Sequence, residues 1–243
     1  MRKNKEETKM KTAKTMLITL IAIVALLIVS SFSSAQPSGT SITSNTTDTV
    51  TTSPPSSRVD EGGTITTLVV DAIQQNPRWK AYIGNITGSL TLDDSGGNTI
   101  YNWALDQSDI TGEIYSSRNN SIDWGAISCA DPATITAEDT FLTLSGRDSI
   151  NNTFNETVHD TITVGTTAHN NCPATSTFVN SARETQGTAS FQLVLLQDTT
   201  NLIYTSPIKT ATTGYDGSLF DFQMIMANNP TATTPYYFYV ELG

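Results

Sequence analysis

The chain has few of the residues on which most catalytic and metal-binding sites depend. Its 243 residues include two histidines and two cysteines, and it contains no H-E-x-x-H, C-x-x-C or G-x-S-x-G motif. His159 and Asp160 stand in a chain with many serines, but composition alone produces such a match. The sequence therefore predicts a protein that is not an enzyme and that needs no cofactor.

Basic residues are also scarce outside the N-terminus. Residues 1–14 hold six Lys/Arg and two Glu, whereas the rest of the chain has seven Lys/Arg against 21 Asp/Glu. Nucleic acid is densely negative and is bound by basic surfaces, so the composition excludes it as a partner. An acidic, Thr-rich exterior is typical of a solvated surface protein. We expect its partners to be other cell-surface proteins or copies of itself.

Long apolar runs are absent except near the N-terminus, where residues 1–35 have the three parts of a secretory signal. A basic start is followed by an apolar run over residues 16–29 and by small residues ending at Ala35. Cleavage before Gln36 is expected. The run is short for a membrane span of about 20 residues, but an uncleaved anchor stays open as an alternative. Both alternatives place the rest of the chain outside the cell.

Residues 36–63 are predicted to form a disordered stalk. In the part from 36 to 57, 13 of 22 residues are Ser or Thr. Such a stretch buries too little apolar surface to offset the entropy cost of ordering it, and it is typical of O-glycosylated linkers. Residues 64–243 are long enough for one domain with its own core.

The pattern of that domain predicts a mostly β fold, an antiparallel β-sandwich-like single domain. Short alternating segments are separated by turn residues: GSLTLDDSGGNTIYNWAL and FQLVLLQDTTNLIYTS read as hairpins, and GEIYSS as a strand. The second hairpin, LFDFQMIM and PYYFYVEL are predicted to form a four-stranded meander. In the last strand, the two-residue period puts Tyr236, Phe238, Val240 and Leu242 on one face.

Two further segments are assigned from their composition. AEDTFLTL is predicted to be the single short helix, with Thr136 as its N-cap and Gly146 at its end. ITTLVVDAI fits a strand or a helix, and its β-branched residues favour a strand.

The two cysteines, Cys129 and Cys172, are predicted to form a disulfide, because an even pair in an exported chain is most simply bridged. The bridge would enclose both sequons of the stretch NNTFNET. Five N-x-[ST] triplets are glycosylation candidates if the chain is exported, although composition alone predicts about as many. They lie at Asn45, Asn85, Asn119, Asn151 and Asn155.

Two groups of residues are weak binding candidates. Asp93, Asp94, Asp106 and Asp109 lie in loop-like stretches and offer the oxygen ligands that calcium prefers. Ordinary turns use the same residues, so the turn interpretation is favoured and no metal site is assigned. Tyr101 and Trp103 share one face of a predicted strand, where they would stack on a sugar ring or, more commonly, fill a sandwich core or cover its edge.

The stretches RWKAYIGNITGSLTLDD, NTIYNWAL, GEIYSS, DWGAISCA and TPYYFYVEL together resemble a group of uncharacterised archaeal cell-surface proteins, over most of residues 78–243. The resemblance implies a signal segment, a variable Ser/Thr-rich leader and a β-rich exterior domain, and it implies no activity.

Three functions remain open from the sequence. The leading hypothesis is a cell-envelope protein with a structural or adhesive role. The alternative is a subunit of an extracellular filament, in which TITTLVV or YYFYVEL adds to a neighbour's sheet. A secreted hydrolase or carbohydrate-binding module is the third hypothesis.

Overall fold

The computed structural model describes residues 36–50, 55–106, 108 and 110–243. The predicted signal or anchor lies outside these residues. The strands are Ser38–Gly39 (β1), Trp79–Gly84 (β2), Ser89–Asp93 (β3), Thr99–Ala104 (β4), Gly112–Ser117 (β5), Ser128–Cys129 (β6), Ile162–Val164 (β7), Thr167–His169 (β8), Ala174–Ser176 (β9), Gln192–Gln197 (β10), Leu202–Pro207 (β11), Thr212–Thr213 (β12), Leu219–Phe220 (β13), Phe222–Ala227 (β14) and Tyr237–Leu242 (β15). The α-helices are Pro132–Phe141 (α1) and Ile150–Thr153 (α2).

The fold is mostly β, with antiparallel pairing throughout its sheets. The largest sheet has the order β1–β15–β5–β11–β10–β6, and β9 also pairs with β10. The predicted strand GEIYSS is confirmed as β5, and both predicted hairpins are confirmed as β3–β4 and β10–β11.

The predicted four-stranded meander is wrong. Strand β5 lies between β11 and β15, with Ile114 opposite Ser206 on one side and opposite Val240 on the other. Strand β14 leaves the large sheet and pairs with β2. Asp221, the buried residue directly before β14, holds the start of this strand in place. Its carboxylate accepts from the backbone N–H groups of Ile86 and Ala211 at 2.9 and 3.0 Å.

Both faces of the large sheet are buried, which explains the continuous apolar run in β10. Leu193 and Leu195 face one core, which also contains Tyr204 and residues from β14, α1 and α2. Val194 and Leu196 face a second core on the opposite side. Two-residue alternation therefore sends every apolar side chain of this strand into one core or the other.

The predicted shared face of the last strand is confirmed. Tyr236, Phe238, Val240 and Leu242 all pack against the first core. The β2–β14 ribbon covers part of the same core, and Tyr82 on β2 meets the Phe238 ring edge-on at a centroid distance of 5.1 Å. Tyr239, which has the opposite orientation, packs against the second core.

The predicted helix exists but begins earlier than expected. Its N-cap is Asp131, whose carboxylate accepts from the N–H of Thr134 at 2.7 Å, and Pro132 takes the first helical position. The predicted cap, Thr136, lies inside the helix and donates its hydroxyl to the carbonyl of Pro132. A second helix was missed. It begins where the carboxylate of Asp139 accepts from the N–H of Ile150.

No helix in the described part of the chain is long and apolar enough to cross a membrane. The strand predicted for ITTLVVDAI is wrong, because residues 64–76 have no regular secondary structure. The predicted stalk is not uniformly unstructured, since its residues Ser38 and Gly39 form β1 on the edge of the large sheet.

Candidate interaction surface

The β3–β4 hairpin carries an exposed apolar surface, called here the aromatic face, made of Leu90, Leu92, Tyr101 and Trp103. Leu90 lies directly opposite Trp103, and Leu92 lies opposite Tyr101. The Tyr101 and Trp103 side chains are 57% and 50% exposed, and their ring centroids are 4.7 Å apart. The two aromatics therefore do not fill a core, and that part of the favoured interpretation is wrong, whereas their covering the edge of the sandwich stays a prediction.

Residues 64–73, called here the apolar segment, form a second exposed apolar stretch. They include Ile65, Leu68, Val69, Val70 and Ile73, all of them exposed. Val69 is 100% exposed, and neither hydrophobic core of the described residues includes any of the five. A run of this composition is suited to a pleated, buried surface, so its exposure is unusual.

The outer edge of β15 is a third candidate interaction feature. Among the described residues, β1 alone pairs with this edge, through Ser38 opposite Val240 and Gly39 opposite Tyr239. Two more hydrogen bonds follow, from the N–H and the hydroxyl of Thr40 to the carbonyl of Phe238 at 3.1 and 3.2 Å. A two-residue strand therefore covers a six-residue edge, and sheet edges are where other strands add.

The calcium candidates that the structure describes, Asp93, Asp94 and Asp106, do not come together as a site. The Asp94 carboxylate accepts hydrogen bonds from the backbone of Gly96 and from both the backbone and the side chain of Asn98. The side-chain bond from Asn98 is the main cause that lowers the pKa of Asp94. These bonds show a turn closed by its own carboxylate.

Asp93 and Asp106 are exposed, and Asp109 lies outside the described residues. In the ranges that the structure describes, no three His, Cys, Asp or Glu side chains are grouped so that they could hold a metal ion.

Four of the five sequon asparagines are exposed: Asn45, Asn85, Asn151 and Asn155. Asn119 is half-buried, and its side-chain amide donates to the side chain of Asn201 at 2.9 Å. The amide nitrogen is the atom to which a glycan attaches, so Asn119 is the poorest acceptor of the five in the folded chain.

The predicted disulfide between Cys129 and Cys172 is confirmed. It joins β6 to the loop before β9 and encloses both helices. The His159 side chain holds this loop in place. Its Nε2 accepts from the N–H of Cys172 at 2.9 Å, and its Nδ1 lies 2.6 Å from the carbonyl of Asp160. The Asp160 carboxylate pairs with Lys209, so these residues do not form a catalytic triad.

Sequence reasoning missed a buried acidic pair. Glu113 and Glu241 lie directly opposite each other on β5 and β15, and both are buried. Glu113 accepts from the N–H of Thr163 at 2.9 Å, and Glu241 accepts from the N–H of Gly165 at 2.9 Å. The two carboxylates thus hold the β7–β8 hairpin against the sheet.

The environment of this pair shifts its protonation. Burial raises the pKa of Glu113 to about 7, an effect that the charge of Glu241 reinforces and the Thr163 bond opposes. Burial also raises the pKa of Glu241. The only sequence signal was a glutamate within each of two apolar strands, which does not show that the two strands pair.

A second missed feature is the ion pair of Arg118 with Glu138, at one side of a cleft of about 240 Å³. Both guanidinium donors reach the carboxylate, and the Phe141 ring lies 3.9 Å from the guanidinium carbon. Nε and Nη2 of Arg118 donate to the two carboxylate oxygens of Glu138, so the pair ties the end of β5 to α1.

The fold and this surface define a disulfide-linked, mostly β protein with antiparallel sheets. No protein-family model, curated protein or solved structure matches this chain.

Proposed function

We propose that the chain is an exported structural protein of the cell exterior that associates with copies of itself by β-strand addition through the apolar segment. The observation that carries this proposal is the exposure of five large apolar side chains within residues 64–73, from 60% for Leu68 to 100% for Val69. Burying a valine or isoleucine side chain gains about 1.5–3 kcal/mol. Burial of these residues in a neighbouring copy would therefore supply a large part of the free energy of association.

Strand addition fits the composition of this segment better than helix docking does. The segment is rich in β-branched residues and contains no proline or glycine between Thr64 and Ile73. An extended peptide that joins a sheet edge gains main-chain hydrogen bonds, and its alternate side chains enter pockets on the acceptor. The large sheet offers such an edge along β15.

The exterior location is supported by two features. Residues 1–35 have a signal-like pattern, and the Cys129–Cys172 disulfide is typical of an oxidising compartment. Signal cleavage, glycosylation of the exposed sequons and the resemblance to archaeal surface proteins stay predictions.

The sandwich-like architecture is also part of this proposal. It is supported by the β2–β14 ribbon, which covers one face of the large sheet.

A matched pair of substitutions tests the proposal. Val69 in the apolar segment and Val59 outside it are 100% and 97% exposed, so Val69→Asp and Val59→Asp perturb the folded monomer alike. The full chain, expressed in an export-competent host, is examined by size-exclusion chromatography with light scattering and by negative-stain microscopy. We expect the wild type and Val59→Asp to form assemblies and Val69→Asp to stay monomeric. A monomeric wild type at all concentrations would contradict the proposal.

Adhesion through the aromatic face is a second candidate function, favoured by the exposed rings of Tyr101 and Trp103. Such rings stack on the apolar face of a sugar. The test is binding to immobilised oligosaccharides of glucose, galactose and N-acetylglucosamine. We expect Tyr101→Ala to abolish binding, and Tyr215→Ala, which removes another exposed tyrosine, to leave it unchanged. No binding by the wild type would remove this candidate.

A further inference from the structure

The chain's own leader occupies the sheet edge that a second copy would need. Ser38 and Gly39 pair with Val240 and Tyr239, and Thr40 closes the strand with its bonds to Phe238. Residues 41–50, which follow, form no further strand with the sheet. The edge therefore already accepts a strand from the leader, and it does so over one third of its length.

The two residues of this occupant that pair with β15 bring little apolar surface to a half-covered edge, and the residue before them, Pro37, is buried. Phe238, Val240 and Leu242 are half-buried on one face of β15, and Tyr239 is half-buried on the other. Ser38 and Gly39 are themselves exposed, and neither has an apolar side chain with which to cover these residues.

We propose that the outer edge of β15 in one copy accepts the apolar segment of a second copy, and that β1 is a removable strand that occupies this edge in the unassembled chain. The inference rests on the proposed function and names its acceptor site. In assembly, Ser38–Gly39 leave β15, and residues within 64–73 of the neighbour form the longer ladder in their place.

The alternation of the apolar segment fits this acceptor on both faces. Ile65, Val69 and Ile73 share one side of an extended strand, and Leu68 and Val70 share the other. The faces of β15 carry half-buried apolar side chains on both sides as well. When this segment replaces Ser38–Gly39, it covers the half-buried side chains on both faces of β15.

The arrangement also predicts the form of the assembly. The donor segment and the acceptor edge are different surfaces of one chain, so each copy has one donor and, once β1 has left, one acceptor. Such head-to-tail contacts form rings if the rotation closes and helical filaments if it does not.

Cross-linking between differently tagged copies tests the acceptor. The two native cysteines are bonded to each other, so introduced thiols are the only free ones. Full chains carrying Thr66→Cys or Thr67→Cys are mixed with chains carrying Tyr237→Cys on β15 or, as a control, Thr91→Cys on β3. All four positions are exposed. We expect oxidation of the assemblies to link a donor variant to Tyr237→Cys and not to Thr91→Cys.

A second measurement tests β1. Thr40→Pro removes both the N–H and the hydroxyl that donate to the carbonyl of Phe238, whereas Thr43→Pro alters the same leader at an exposed residue outside β1. We expect Thr40→Pro to lower the concentration at which assembly begins by at least about fivefold, the effect of losing one net hydrogen bond or more. We expect Thr43→Pro to leave that concentration unchanged.

The outcomes separate the two proposals. Absence of assembly in the wild type overturns the proposed function and this inference together. Assembly that depends on Val69 but links no donor to Tyr237→Cys, or links it equally to Thr91→Cys, overturns the acceptor assignment alone. An unchanged or raised assembly concentration for Thr40→Pro overturns the role of β1.

Discussion

The buried pair Glu113–Glu241 predicts that the protein loses stability as the pH rises from about 4.5 to 7. Burial raises the pKa of Glu113 from 4.5 to about 7 in the folded chain. Between these values the folded state binds more protons than the unfolded state, so the free energy of unfolding falls with rising pH. At about 1.4 kcal/mol for each pKa unit, the full loss is about 3 kcal/mol and is complete above pH 7.

The substitution that isolates this effect is Glu113→Gln. Glutamine stays neutral at every pH and keeps an oxygen that accepts from the N–H of Thr163, so the hairpin contact survives. We expect the variant to be about 3 kcal/mol more stable than the wild type at pH 8 and equal to it at pH 4.5. A smaller slope in the same direction persists, because burial also raises the pKa of Glu241.

Urea unfolding at five pH values between 4.5 and 8 measures this dependence, with exposed Glu61→Gln as the control. Below this window the trend reverses, since Asp94 and Asp131 have lowered pKa values and their stabilisation is lost as they protonate. A wild-type slope that Glu113→Gln leaves intact would refute the reasoning, as would a variant less stable than the wild type at pH 8.

Three other substitutions test the fold. Replacing both Cys129 and Cys172 by Ser should lower the free energy of unfolding by about 4 kcal/mol, the loop-entropy value for a sequence separation of 43 residues. An unchanged melting temperature would contradict this prediction. Asp131→Ala should lower the free energy of unfolding by about 1 kcal/mol, because the N-cap of the helix is lost, and Thr136→Ala should lower it by less. A larger loss for Thr136→Ala would show that Thr136 is the N-cap, as the sequence predicted. Trp103→Ala should change the free energy of unfolding by less than about 0.5 kcal/mol, because the ring is half exposed. A larger loss of stability, measured by thermal unfolding, would show that the ring packs against other residues more than its exposure indicates.

The local elements were the most predictable part of this fold. The loop DDSGGN and the run DTTN supply turn residues between alternating segments, and each produces a hairpin with the expected partners. The alternation in PYYFYVEL likewise predicted which side chains face the core. These features depend on residues close in sequence, whose preferences the chain displays directly.

Pairings over long distances were not predictable from these patterns. Strand β5 pairs with β15 about 125 residues later, and nothing in GEIYSS specifies that partner. The buried acidic pair depends on this pairing, so it was missed with it. The exposed aromatic face was misjudged for a similar reason: alternation shows which residues share a face and does not show whether another layer covers it.

The helix boundary shows a third kind of error. Asp131-Pro132 is a strong start signal, but it stands before the threonines ATIT, whose propensity for helix is low. The cap and the proline outweigh that propensity, since Asp131 satisfies a backbone N–H that would otherwise lack a partner.

The central claim is that the apolar segment joins copies of this chain. The most direct measurement compares wild-type, Val69→Asp and Val59→Asp full chains by negative-stain microscopy and light scattering over a range of concentrations. The account predicts assemblies for the wild type and Val59→Asp, and a monomer for Val69→Asp. Assemblies that persist in Val69→Asp, or a wild type that never assembles, would contradict it.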